Sequence, residues 1–245
     1  MSSKMLFVCS LLTAHCSLLV NTAIVIAAGS GKRFGAEKPK QFFELAGKPV
    51  VVHSLLAFEN CASIDEIVLV LAENEINDFQ QTRAQDGFGK LKIIVAGGNT
   101  RAASVWNGLK EVSPDTEIVA VHDGARPLVT PEEITRTIEK ARETGAAILV
   151  APVTDTIKEI NGDKIIGTIE RTRLRRALTP QCFQVEILRR AFEEFTDLNE
   201  FATDESFLVE KLGIAVSIVE GSARNIKITV PDDLILAEAL LKNRS

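Results

Sequence analysis

Short apolar runs alternate with helix-length segments along most of this chain, and that alternation restricts the fold more than any other feature. Residues 23–28, 67–72, 92–95, 118–121 and 147–151 are rich in Val, Ile, Leu and Ala, as strands buried on both faces are. Between them 50–59, 75–83, 101–112 and 131–143 read as helices, the last with Thr130 as N-cap and Pro131 at its first position. Strands joined by helices imply a parallel sheet covered on both faces. The expected fold is α/β, Rossmann-like and doubly wound, with a mostly parallel sheet.

The rhythm breaks at residues 152–179. Segments 156–160 and 164–169 alternate like a hairpin about Asn161, Gly162 and Asp163, which predicts a protruding β-arm. Such an arm has little core of its own, and a second subunit is its economical partner, so a homodimer through the arm is expected. Helices at 184–194 and 204–211, a strand at 215–219 and a last helix at 232–242 follow. One domain over 22–245 accounts for all of this, with 152–179 as its arm.

The 245 residues, 46% hydrophobic and 25% charged, suffice for a substantial core. A net charge of -5 argues against a protein that coats nucleic acid, and no nucleic-acid partner is expected. Cys9, Cys16, Cys61 and Cys182 show no C-x-x-C spacing, and His15, His53 and His122 do not group with them as a zinc site requires. A reduced, cytoplasmic setting is expected. The apolar stretch 5–20 has the look of a secretory signal, but it contains His15, lacks a small-x-small cleavage site and runs almost directly into the first strand. It is also shorter than the roughly 20 residues of a membrane span. Residues 1–21 are therefore expected to be an extension outside the fold, such as a misplaced start produces, with no membrane partner.

The first strand leads into a phosphate-type loop. Residues 24–41 read IVIAAGSGKRFGAEKPKQ, in which Gly29 and Gly31 permit close backbone approach and Lys32, Arg33, Lys38 and Lys40 supply positive charge. It is neither a P-loop, which needs Gly at position 26 and Ser or Thr at 33, nor a dinucleotide fingerprint, which needs Gly at 34. In doubly wound sheets ligands bind beyond the carboxyl ends of the strands. There the sequence places Gly97, Gly98, Asn99 and Arg101 after one strand, and Asp123 and Arg126 after another. Asp123 beside Arg126 is either a structural ion pair or a division of labour, the carboxylate handling hydroxyls or a metal's water shell and the guanidinium an anion. His53, His122, Cys182 and Trp106 read as structural.

The ordered series AAGSGKRFG, KPKQ, GGNTRAASV, HDGARP, APVTDTIK, ALTPQ, TDE and NIKIT resembles the 2-C-methyl-D-erythritol 4-phosphate cytidylyltransferase family, within the broader sugar nucleotidyltransferases. The resemblance spans about 22–241. It implies transfer of a cytidylyl group from CTP to 2-C-methyl-D-erythritol 4-phosphate, with pyrophosphate released, a divalent cation, usually Mg²⁺, and a homodimer locked by β-arms. It further implies Arg33, Lys40, Lys227 and Arg171 in the catalytic machinery, and Ala27, Ala28, Gly29, Ser30, Gly31, Gly98, Asn99 and Ser104 around the nucleotide. Asp123, Arg126, Thr179 and Thr203 match positions around the methylerythritol phosphate, with Arg171 and Thr179 reaching the substrate on the other subunit. Metal ligands are not identified. Asn99 stands where the family is often acidic, and Val230 where Thr or Arg is common. The alternative is a cytidylyltransferase for another polyol phosphate, such as ribitol 5-phosphate.

Overall fold

β1 (Val20–Ala27) shows how the sequence makes a two-faced sheet. Ala23, Val25 and Ala27 enter one buried apolar cluster and Ile24 enters the opposite one, so alternate residues of a single strand serve two cores. The computed structural model describes residues 19–29, 39–83, 87–195 and 204–243. β1 starts two residues before the expected edge of the fold at 22. Asn21 is buried there, its N–H donating to Asp65 Oδ2 (2.8 Å) and its amide to Ser63 O (2.9 Å).

The chain continues through a 3-10 turn (Lys40–Phe42), the two-residue strands β2 (Glu44–Leu45) and β3 (Lys48–Pro49), α1 (Val50–Glu59), β4 (Glu66–Leu71), α2 (Ile76–Arg83) and β5 (Leu91–Ala96). Next come α3 (Arg101–Lys110), β6 (Thr116–Asp123), α4 (Pro131–Thr144) and β7 (Ala146–Pro152). The last part comprises β8 (Ile157–Asn161), β9 (Lys164–Ile169), β10 (Arg175–Gln184), α5 (Val185–Glu194), α6 (Glu205–Lys211), β11 (Ser217–Glu220) and α7 (Pro231–Lys242).

Helical spacing explains which helices cover which face. On α4, Ile134, Ile138 and Ala141 join Val51, Val52, Leu55 and Phe58 of α1 against one side of the sheet. On α3, Ala102, Val105 and Leu109 join Leu188, Ala191 and Phe192 of α5 against the other. α4 begins as expected: Thr130 Oγ1 accepts the Glu133 N–H (3.2 Å) and Glu133 Oε2 accepts the Thr130 N–H (3.0 Å), a reciprocal cap with Pro131 at the first position.

The seven-stranded sheet has the order β11-β7-β10-β6-β1-β4-β5, and every neighbouring pair is parallel except those involving β10. β10 differs from the sequence reading, which ran the arm to 179 and opened a helix at 184. It is a strand between β6 and β7 and antiparallel to both. Pro180 and the paired Arg175 and Arg176 disguise it, because a proline and two charges argue against a central strand. The register shift between Ala177 and Gln181 accommodates that proline, whose bond to Thr179 is cis. β8 and β9 form the separate hairpin that the sequence predicts, turning at Gly162.

Strand order reverses around β1, since β4 and β5 lie on one side and β6 on the other. The register sets Ile26 beside Asp123, so the ends of β1 and β6 open onto one crevice.

Candidate active site

The three strand ends around that crevice are held in different ways. At the end of β1, the buried Gln41 amide donates to both Ala27 O (2.7 Å) and Gly29 O (3.1 Å), which fastens the KPKQ element to the strand beneath it. Ala28 and Gly29 follow directly. Ser30, Gly31, Lys32, Arg33 and Lys38 lie outside the described residues. Lys40 opens the 3-10 turn, and its charge acts on Asp233 in the first turn of α7. Burial works against ionisation of Asp233, yet N–H donors from Val230 and Thr229, the Thr229 hydroxyl and the Lys40 charge hold its carboxyl below the usual range.

After β5 the paired glycines are required by crowding. A Cβ on Gly97 would stand 2.3 Å from Ala28 Cβ, and one on Gly98 2.6 Å from Ala103 Cβ. The β1 and β5 loops are thus pressed together, with the Gly97 N–H donating to Leu71 O (2.7 Å). Ser104 is buried and supports this turn: its hydroxyl oxygen accepts the Gly98 N–H (3.0 Å) and donates to Thr100 O (2.9 Å). Gly98 and Asn99 remain exposed at the mouth.

At the end of β6 lies the densest electrostatic arrangement among the described residues. Asp123 Oδ1 accepts from Arg101 Nε (3.0 Å), and Oδ2 accepts from Lys227 Nζ (2.8 Å) and pairs with Arg126 Nε at 3.5 Å. Burial alone would raise this carboxyl, but Arg101, Lys227 and Arg126 together outweigh it and hold it well below the ordinary range. Arg101 also donates from Nη1 to Glu205 Oε1 (2.5 Å), so one guanidinium bridges two buried carboxyls brought from distant parts of the chain. Three cations facing two carboxyls leave the cluster with positive charge to offer an anion.

Beneath Asp123 a neutral network fixes the loop. His122 is fully buried, and burial pulls its imidazole down to about 4. Its Nε2 faces Arg126 O at 3.2 Å, and a carbonyl can only accept, so Nε2 carries the proton and Nδ1 accepts from the Thr179 hydroxyl (2.9 Å). The same Thr179 oxygen accepts the Asp123 N–H (3.2 Å). Asn225 then donates to Thr179 O (2.9 Å) and takes Arg126 Nη1 on its own carbonyl (2.9 Å). Buried side-chain polar atoms without a hydrogen bond, among the described residues, are Arg126 Nε, whose contact with Asp123 is the 3.5 Å ion pair, Glu205 Oε2 and Asn225 Oδ1. Asn225 Oδ1 belongs to this network, and Arg126 Nε and Glu205 Oε2 to the charged cluster above it.

The sequence-predicted residues Ala27, Ala28, Gly29, Gly98, Asn99, Ser104, Asp123, Arg126, Thr179 and Lys227 therefore gather along one edge of the sheet. Thr179 corrects its expected placement: it lies in β10 under Asp123 of its own chain, buried and with its hydroxyl engaged on both sides, because β10 is part of the sheet and not of the arm. Arg171 sits on the 3-10 turn Arg171–Arg173 below the arm and donates to Thr154 O, and among the described residues no hydrogen bond ties it to Asp123. Thr203 lies outside the described residues. Sequence reasoning left out Glu205, although the TDE motif contains it, and passed over Arg101 after noting it behind the paired glycines.

Comparison with known proteins follows the same lines. The family profile of IspD, 2-C-methyl-D-erythritol 4-phosphate cytidylyltransferase, matches residues 21–243. The chain is similar to the protein of that name from Alkaliphilus metalliredigens, at 45% identity over 91% of this chain and 93% of the relative. It is similar also to that from Syntrophus aciditrophicus, at 46% identity over 90% and 95%. Among crystal structures, 4-diphosphocytidyl-2C-methyl-D-erythritol synthase from Anaerococcus prevotii superposes with a TM-score of 0.81 at 31% identity, covering 91% of this chain and 96% of that one. The Thermus thermophilus 2-C-methyl-D-erythritol 4-phosphate cytidylyltransferase gives 0.73 at 33% identity, covering 89% and 98%. With the fold, the crowded glycine turns and the cationic strand end on one edge, this chain belongs to the IspD family of 2-C-methyl-D-erythritol 4-phosphate cytidylyltransferases, nucleotidyltransferases of the methylerythritol phosphate pathway.

Proposed function

We propose that this nucleotidyltransferase performs its reaction by bringing two anions, CTP and 2-C-methyl-D-erythritol 4-phosphate, together along the β1–β5–β6 edge. The observation that carries the reading is Asp123 collecting Lys227, Arg126 and Arg101 at the end of β6, beside the glycine turns. A phosphate oxygen of the polyol substrate attacks the α-phosphorus of CTP, a new P–O–P bond forms, the bond to the β-phosphate breaks, and pyrophosphate leaves. A phosphate monoester has its second pKa near about 6 and is mostly a dianion at neutral pH, so neither a protein nucleophile nor a general base is needed. The barrier is repulsion between the reactants and charge building on the transferring group, which preorganised cations relieve.

In this reading Ala27 to Gly31 wrap the triphosphate and Gly98 and Asn99 meet the base or ribose, with Ser104 supporting their turn. Arg33, Lys40 and Lys227 stabilise the reacting phosphoryl group. Asp123 receives polyol hydroxyls while Arg126 and Thr203 border the same substrate, and Thr179 fixes Asp123 from below. A divalent cation, Mg²⁺ or another, belongs to the proposal as the counterion of CTP. Among the described residues no three His, Cys, Asp or Glu side chains converge on a point, and both Asp123 oxygens already face cations. The donor set therefore does not fit a cation caged by the protein, and no step is derived through one.

The β8–β9 arm is proposed to lock a homodimer and to carry Arg171 toward the partner's site. Ile160, Ile165 and Ile166 are 65, 65 and 60% exposed on a hairpin with almost no core of its own, which supports this. A cytoplasmic setting is proposed as well, supported by the free, buried thiols of Cys61 and Cys182. No helix among the described residues is long and apolar enough to cross a membrane. The test is pyrophosphate release from Mg²⁺ with each of the four NTPs and either methylerythritol phosphate or ribitol 5-phosphate. Turnover confined to CTP and methylerythritol phosphate is expected; preference for another pair overturns the proposal.

A further inference from the structure

Arg101 and Glu205 are arranged at a disadvantage to the helices that carry them. Arg101 is the first residue of α3, where the positive end of the helix dipole disfavours a cation. Glu205 is the first residue of α6, a position that suits a carboxylate at the surface, yet it is 1% exposed. Burial raises its carboxyl, and Arg101 is the nearby charge that opposes this most. One of its oxygens bonds Arg101 and the other has no partner. A buried ion pair seldom stabilises more than packed apolar side chains would, so neither helix explains why this one is present.

Geometry does explain it. The guanidinium is a rigid planar fork, and here Nε is spent on Asp123 and Nη1 on Glu205. We propose that Glu205 and Arg101 form a positioning pair: Glu205 holds the guanidinium against Asp123 Oδ1, and this keeps Oδ2 turned toward Lys227 and Arg126. Neither residue touches the reacting atoms. Their effect reaches the reaction through the orientation of Asp123 and the place where Lys227 rests, so the inference depends on the roles given above to those two residues.

The test uses full-length enzyme and steady-state kinetics on four variants: Glu205→Gln, Arg101→Gln, the double variant, and Arg101→Lys. Glu205→Gln keeps the size of the side chain and removes its charge. Each single Gln variant is expected to lower kcat by about 10-fold or more with the KM for CTP within about twofold, since misplacement of about 1 Å can lower a rate 10²-fold. The double variant should fall no further than the worse single one, as residues acting as a unit do. Arg101→Lys should not restore turnover, because a lysine is a point charge and cannot span both carboxyls. Wild-type kcat in Glu205→Gln, multiplied losses in the double variant, or full activity in Arg101→Lys overturns the inference. Should Glu205→Gln fail to fold, Arg101→Met with Glu205→Met removes the pair whole and leaves apolar filling; unimpaired turnover in that folded protein overturns it equally. Lys227→Ala is run alongside. Loss in Lys227→Ala with none in Glu205→Gln removes only the positioning pair, whereas normal turnover in Lys227→Ala removes the reading of the site itself.

Discussion

The Asp123 cluster and the β8–β9 hairpin lie in one chain and are built on opposite principles. In the cluster, partly exposed cations from α3 and the segment before α7 bond the buried carboxyls of β6 and α6, across as many as 104 positions of sequence. In the hairpin, contacts are between neighbours in sequence and the large side chains point outward, with Lys158 reaching only across to Thr168 (2.6 Å). The first region is bonded inward and the second turns its large apolar side chains outward. That difference separates a place where charge is preorganised from a hairpin whose Ile160, Ile165 and Ile166 lie exposed.

The largest expected effect breaks or upholds the first half of the comparison. Lys227→Ala and Lys40→Ala should each lower kcat by about 10²-fold or more, the scale of losing one preorganised donor, with circular dichroism unchanged. Lys158→Ala, an equally cationic change on the hairpin, should leave the initial rate within about twofold of wild type, and a comparable fall there would erase the contrast. The hairpin has its own test. Ile160→Asp with Ile165→Asp should convert a dimer to monomers in sedimentation velocity, with melting behaviour of the sheet retained. A monomer already present in wild type would remove the proposed role of the arm. If Arg171 acts on the partner's substrate, mixed dimers of Arg171→Ala and Lys40→Ala subunits should regain part of the activity that each homodimer lacks, and a mixture no more active than its components would contradict this.

A smaller effect sharpens the account of what lies under the cluster. The folded-state value of His122 falls from an ordinary 6.5 to about 4. A base depressed in this way stabilises the fold fully above the unfolded value and loses that contribution as pH drops toward the folded one. Between pH 6.5 and 4 the wild type should therefore lose about 3 kcal/mol that His122→Gln does not, read from urea unfolding at several pH values. Parallel curves for the two proteins would show that His122 is not held neutral. The smallest effect is a reference from outside both regions: Thr130→Ala removes the cap of α4 and should lower stability by about 1 kcal/mol without altering kcat.

The two regions were also unequally legible. The hairpin could be read directly, because alternation and an Asn-Gly-Asp turn are local signals. Strands β4 to β7 and the helices between them were local in the same sense. β10 was hidden, since its reason for being a strand is the pair of neighbours β6 and β7, while its own residues include Pro180 and two arginines. Within the site, Asp123, Arg126 and Lys227 were recognisable by motif. Glu205 was not, because its meaning depends on Arg101 lying 104 positions away in sequence and 2.5 Å away in space. No periodicity carries that information.

The root of the arm has one more implication. Pro152 and Arg175 are register partners on adjacent antiparallel strands, so β7, the arm and β10 are a single long hairpin whose far end is β8 and β9. Residues 153–174 are then a detachable insert: joining 152 to 175 through a tight two-residue turn closes the same ladder without moving any strand of the sheet. A shortened chain of that kind would keep the seven-stranded sheet and the Asp123 cluster, and another recognition element could be grafted at the same two attachment points.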